Sequence, residues 1–155
     1  MVAELLPLAL MVPLLVAGAV TDLARRRIPN TLVLAGVALF VATVPLIGPA
    51  EAALRAIPAA VTLAVGFGLF ALRLFGGGDV KMLAALMLFI PSGGVSDYLL
   101  CLSVSMIAGI AAIAGAGAVA PERWRGTLTM ERGRYPMGVS IALSGILYLA
   151  LALAA

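Results

Sequence analysis

The chain has 155 residues, 64% hydrophobic and 11% charged, with a mean hydropathy of +1.20 and a formal net charge of +3. A soluble domain carries about a quarter charged residues, so this chain has too few polar groups to cover a water-facing surface. It reads as an all-α polytopic membrane protein, one domain over residues 1–155. The basic residues sit in short loops and form no amphipathic or aromatic-rich stripe, which argues against nucleic acid as a partner. The absence of histidine excludes Ser-His-Asp and Cys-His catalysis. The single cysteine, Cys101, allows neither an internal disulfide nor a cysteine zinc cluster, so no metal site is expected.

Six apolar segments follow in chain order, near Leu5–Val20, Thr31–Ile47, Ile57–Leu74, Val80–Ile90, Tyr98–Val119 and Met137–Ala155. A membrane-crossing helix needs about 20 residues. The fifth and sixth segments satisfy this, and the first three do so with flanking residues included. The fourth is short and is expected to start inside the membrane, packed against protein. The first segment is preceded by Glu4 and by no Lys or Arg, so it lacks the basic region of a cleavable signal peptide. Pro29 stands where the second helix begins and Asn30 is placed to help cap it. Pro136 stands at the same point of the sixth. Glycines 66, 68, 109, 115 and 117 offer close helix approach, with Ser105 and Gly109 at small-xxx-small spacing.

The loops after segments one, three and five hold nine of the ten basic residues, and the other side holds only Arg55. By the positive-inside rule those three loops are cytoplasmic and both termini lie on the far side. Two acids then stand at cytoplasmic helix boundaries. Asp22 closes the first segment in TDLARRRIPN, and Asp79 precedes the fourth in FGGGDVKML. Tertiary packing alone could join them, since 57 residues separate them in sequence. Two carboxyl groups sharing a water form a complete hydrolytic apparatus. Like charges in close proximity cannot both ionise easily, so one keeps a proton and serves as general acid while the other serves as general base. Gly76, Gly77 and Gly78 would let the backbone adopt positive φ and let another chain pass close by. The same three glycines would equally serve as a plain turn between helices.

Together TDLARRRIPN, FGGGDVKML and RYPMGVSIALSG resemble the type IV prepilin peptidases, intramembrane aspartyl proteases of six membrane segments. The resemblance covers essentially the whole chain. It implies that Asp22 and Asp79 are the catalytic pair and that Gly76 and Gly78 are the glycines of the Gly-x-Gly-Asp loop. Pro29 and Asn30 match the element after the first Asp, and Pro136 and Gly138 the one that opens the last helix. Met137 stands where an aromatic residue is more usual. Lys81 matches a basic residue for which three roles are open: acting on Asp79, meeting an acidic substrate residue, or reaching lipid phosphate. Arg25, Arg26 and Arg27 are read as topology signals that could also meet lipid headgroups.

The resemblance further implies membrane-embedded prepilin and pseudopilin substrates, each a basic leader followed by an apolar helix, cut between the two at the cytoplasmic face of the inner membrane. No cofactor is implied. Longer members carry a four-cysteine zinc domain and methylate the new amino terminus. This chain starts at its first membrane segment with one cysteine, so peptidase without methyltransferase is expected. The short form looks like the branch serving tight-adherence (Flp) pili. The archaeal preflagellin and prepilin peptidases share the same motifs and remain an alternative. Presenilin-type proteases also use Gly-x-Gly-Asp but add a Pro-Ala-Leu element that is missing here. A small proton- or cation-coupled transporter would place its acids near the bilayer midplane. A non-catalytic scaffold would tolerate Asp→Asn at both positions.

Overall fold

The computed structural model describes residues 2–119 and 137–154. The described residues are helical, with no strands. They form α1 (Val2–Arg25), α2 (Asn30–Ile47), α3 (Pro49–Ala71), α4 (Gly77–Met87), a 3-10 turn (Ser92–Gly94), α5 (Val95–Val119) and α6 (Met137–Ala154). Five of these helices, all but α4, are long and apolar enough to cross a membrane. Residues 120–136, with Pro136 and four of the basic residues, lie outside the described residues.

The outward faces of the long helices carry Val41, Val65, Leu100 and Ile107, all more than half exposed, which in water would be costly and in hydrocarbon is not. Inward, Leu8, Met11 and Leu15 of α1 meet Met82 and Leu86 of α4 and Ile141 of α6 in one core. α1 packs on α2 and α6, α3 on α4, and α5 on α6. Where α5 meets α6, Ser140 Oγ donates to the Ser105 carbonyl at 3.0 Å, and Ser105 and Gly109 are both buried. Of the glycines read as close-approach sites, Gly66 serves that purpose, since a Cβ there would lie 2.5 Å from Val80 Cγ1. Gly68 and Gly115 face open space.

α4 has eleven residues, six of them buried. At 1.5 Å per residue it is about 16 Å long, roughly half of a hydrocarbon core. This agrees with the short fourth segment read from sequence. Its end tightens through i→i+3 bonds from the Leu88, Phe89 and Ile90 amides.

α3 starts eight residues earlier than its apolar run suggested, at Pro49 rather than Ile57. The extension contains Glu51 and Arg55, whose charges interrupt the hydropathy signal. The fold gives both charges partners. Arg55 is fully buried. Its Nε donates to Glu51 Oε1 at 2.9 Å, and Nη1 donates to the Phe89 carbonyl at 3.2 Å and to the Glu4 carbonyl at 3.4 Å. Glu51 in turn accepts the Ser92 amide and hydroxyl, each at 2.9 Å. One ion pair thus ties the ends of α1, α3 and α4 to the 3-10 turn, opposite to the end bearing Arg25–Arg27 and Arg73.

At that basic end, α1 and α3 are each followed by an arginine in the left-handed region, Arg26 at φ 50° and Arg73 at φ 61°. Glycine usually fills this place. The Arg26 amide donates to the Asp22 carbonyl at 2.8 Å, closing the last turn of α1.

Candidate active site

Asp22 lies within the last turn of α1, one turn before the chain leaves the helix. It is 5% exposed. Its Oδ2 accepts the Gly138 amide at 2.8 Å. The first amides of a helix have no intrahelical acceptor, so a carboxylate from α1 satisfies one of those at the start of α6 and meets the positive end of its dipole. Gly138 must lack a side chain for this. A Cβ there would stand 2.8 Å from Asp22 Cβ and 2.9 Å from Oδ2. The sequence singled out Gly138 by motif alone and gave no partner for it, since 116 residues separate it from Asp22.

Asp79 lies in the first turn of α4 and is half-buried, with Oδ1 fully buried. The glycines before it do not use positive φ. Gly76 is extended, at φ −77° and ψ 136°, and Gly77 and Gly78 are already helical. Among the described residues the positive-φ glycine is Gly48. The value of the three is room. A Cβ on Gly76 would collide with Asp79 Oδ2, one on Gly77 would lie 3.2 Å from the Phe70 ring, and one on Gly78 would lie 3.2 Å from the Ile28 carbonyl oxygen. The chain that passes close by is therefore this protein's own loop between α1 and α2, whose Ile28 is buried.

Lys81 and Asn30 fasten the same loop. Lys81 Nζ donates to Asn30 Oδ1 at 3.2 Å. Asn30 makes no capping bond, which corrects the sequence expectation. It is the first residue of α2, and the cap position is taken by Pro29, whose extended backbone enters the helix with its carbonyl accepting the Leu32 amide at 3.1 Å. The side chain of Asn30 instead accepts from Lys81, one turn into α4. The loop carrying RRRIPN thus joins α1, which bears Asp22, to α4, which bears Asp79. Pro136 lies outside the described residues. No group of three or more metal-ligating side chains occurs among the described residues.

A profile of the type IV leader peptidase family matches residues 9–117. The chain belongs to that family. The match spans α1 to α5, including TDLARRRIPN and FGGGDVKML, and membership implies a peptidase. No curated protein and no solved structure gives a significant match. A family of leader peptidases accounts for an all-helical membrane protein whose two loop-proximal acids lie at one end.

Proposed function

We propose that the chain is a prepilin leader peptidase in which Asp22 and Asp79 activate one water. The observation that carries this reading, beside family membership, is that an acid of α1 is held by an amide of α6 at the end where the Gly-Gly-Gly-Asp turn opens α4. The Gly138 amide holds Asp22 Oδ2 in place. One carboxyl takes the proton of the water as it attacks the scissile carbonyl carbon. The other gives its proton to the carbonyl oxygen. On collapse of the tetrahedral adduct the first carboxyl passes the water's proton to the departing nitrogen and the second regains its proton from the adduct's hydroxyl, so the amine and the new carboxyl leave and both acids are restored. The pair titrates and acts as a unit. The chemistry needs no metal, thiol or imidazole.

The substrates are prepilins and pseudopilins, those of the tight-adherence type in this reading. Residues 1–155 act as a single transmembrane peptidase domain. The arginines after α1 and α3 support placing the catalytic end at the cytoplasmic face of the inner membrane, with both termini on the other side. Peptidase activity without methyltransferase activity is part of this reading.

The test is to incubate the purified protein in liposomes with a tight-adherence-type prepilin and read the products by mass spectrometry. The reading predicts one cut between the basic leader and the apolar helix, and an unmethylated amino terminus. Intact prepilin after exhaustive incubation, with protons or cations moving across the same liposomes, would replace it by the transporter.

A further inference from the structure

An apolar groove opens beside the candidate site. It has a volume of about 200 Å³ and is walled by α3 and α5, with α4 and α6 as its floor. Among the described residues α3 packs on α4 and α5 packs on α6, and α3 and α5 form no packed interface with each other. The groove is thus a slot between two helices, open toward the surrounding hydrocarbon.

Its depth can be read from the chain. α3 and α5 run toward the basic end while α4 and α6 run away from it. Leu69, Val80, Met106 and Met137 therefore lie near the site, and Met87 and Leu99 lie deeper. Val80 to Met87 and Leu99 to Met106 each span seven residues, which is about 10 Å, or roughly two helical turns. The shallow end is continuous with the catalytic residues: Val80 follows Asp79 directly, and Met137 precedes the Gly138 that holds Asp22.

We propose that this groove receives the side chains along one face of the first two turns of the substrate's apolar helix, with the scissile bond emerging at its shallow end. The inference rests on the peptidase reading above. An α-helix running down from a cut at the basic end is the one substrate element of the right polarity and direction. Two clefts on the other side of α3 are the competing places, one between α3 and α4 and the other where α2, α3 and α4 meet. Both are lined by Lys81, whose ammonium bonds Asn30, and an apolar helix laid there would pass a cation. The slot between α3 and α5 has no charged lining residue. Three of its lining side chains are methionines, which are flexible and polarizable and repack around different apolar partners. One slot can therefore serve several substrate helices whose sequences differ.

The test is disulfide trapping combined with kinetics. In a Cys101→Ala, Asp79→Asn background, single cysteines are placed at Met106→Cys and Leu99→Cys in the groove, at Val37→Cys in the cleft where α2, α3 and α4 meet, and at Leu100→Cys on the outer face of α5. The partner is a single-span prepilin with one cysteine moved stepwise along its helix. The expected result is trapping at Met106 from the first turn below the cut and at Leu99 from the second, with Val37 and Leu100 giving background. Separately, Val65→Trp in the otherwise native chain is expected to raise KM about tenfold with kcat within about twofold, while Leu100→Trp changes neither. Equal or stronger trapping at Val37 or Leu100, or a native KM for Val65→Trp, overturns the groove while cleavage by the native chain keeps the peptidase. The second pattern would leave the slot to lipid acyl chains. Failure of the native chain to cut any prepilin overturns the peptidase reading and the groove with it.

Discussion

The Gly138 amide donates to Asp22 Oδ2 at 2.8 Å, so the acid that ends α1 caps the first turn of α6. The bond fixes one candidate catalytic oxygen by a backbone group rather than by a mobile side chain. A carboxylate bound to a backbone amide at a helix start is among the stronger neutral-to-charged hydrogen bonds. The arrangement leaves no room for a side chain at residue 138.

Gly138→Ala should therefore impair catalysis more than folding. The added methyl would meet Asp22 Cβ at 2.8 Å, and the carboxylate must shift to make room. Misplacement of a reacting group by about 1 Å can cost about 10²-fold in rate. Cleavage assays should show a kcat loss approaching that size, while unfolding in detergent should show only the cost of an overpacked contact, about 1–3 kcal/mol. An equal loss in both would mean that Gly138 serves packing alone.

Arg55→Met should destabilise the protein. Leaving a buried acceptor without its donor costs about 1–3 kcal/mol, and Glu51, partly exposed and still bonded to Ser92, adds less than a fully buried charge would. The substitution leaves Glu51 facing an apolar neighbour and the Phe89 carbonyl without its donor. Removing both charges, in Glu51→Gln with Arg55→Met, should recover part of the loss. Unfolding midpoints of the two variants in the same detergent check this.

Arg73→Gly should stabilise. Arg73, two residues past the end of α3, sits at φ 61°, in the left-handed region that costs an L-residue about 1–2 kcal/mol. Glycine removes that cost and loses part of the gain to its own chain entropy, so a net gain of about 0.5–1 kcal/mol is expected. Chemical denaturation of the native and variant chains measures it.

The pH profile of kcat/KM should be bell-shaped. If one carboxyl must donate a proton while the other accepts one, only the singly protonated pair is active. Rate then falls on the acid side, where both are protonated, and on the alkaline side, where neither is. A profile with a single limb would point to one essential carboxyl rather than two.

Hydropathy alone located the long helices because burial in lipid selects for apolar runs. It missed the start of α3 because Glu51 and Arg55 look like loop residues until Glu4, Phe89 and Ser92 arrive from other parts of the chain. Such satisfaction is a tertiary property and has no local signature. The same holds for Asn30. Its type and place beside Pro29 suggested a helix cap, and the fold spends its side chain on Lys81, 51 positions away. The acids were legible by their exceptional placement in an apolar chain. The amide that holds Asp22 was legible only as a motif glycine. The space before Asp79 was legible as a glycine run, but its occupant, Ile28, was not.

The central claim is that Asp22 and Asp79 act as one apparatus. The most direct measurement is single-turnover cleavage of a prepilin in liposomes by the native chain, Asp22→Asn, Asp79→Asn and the double variant, each verified as folded. The account predicts that each single variant loses at least about 10²-fold and that the double variant is no slower than the worse single, because either loss disables the whole pair. Rate losses that multiply in the double variant, or native rates in either single variant, would contradict it.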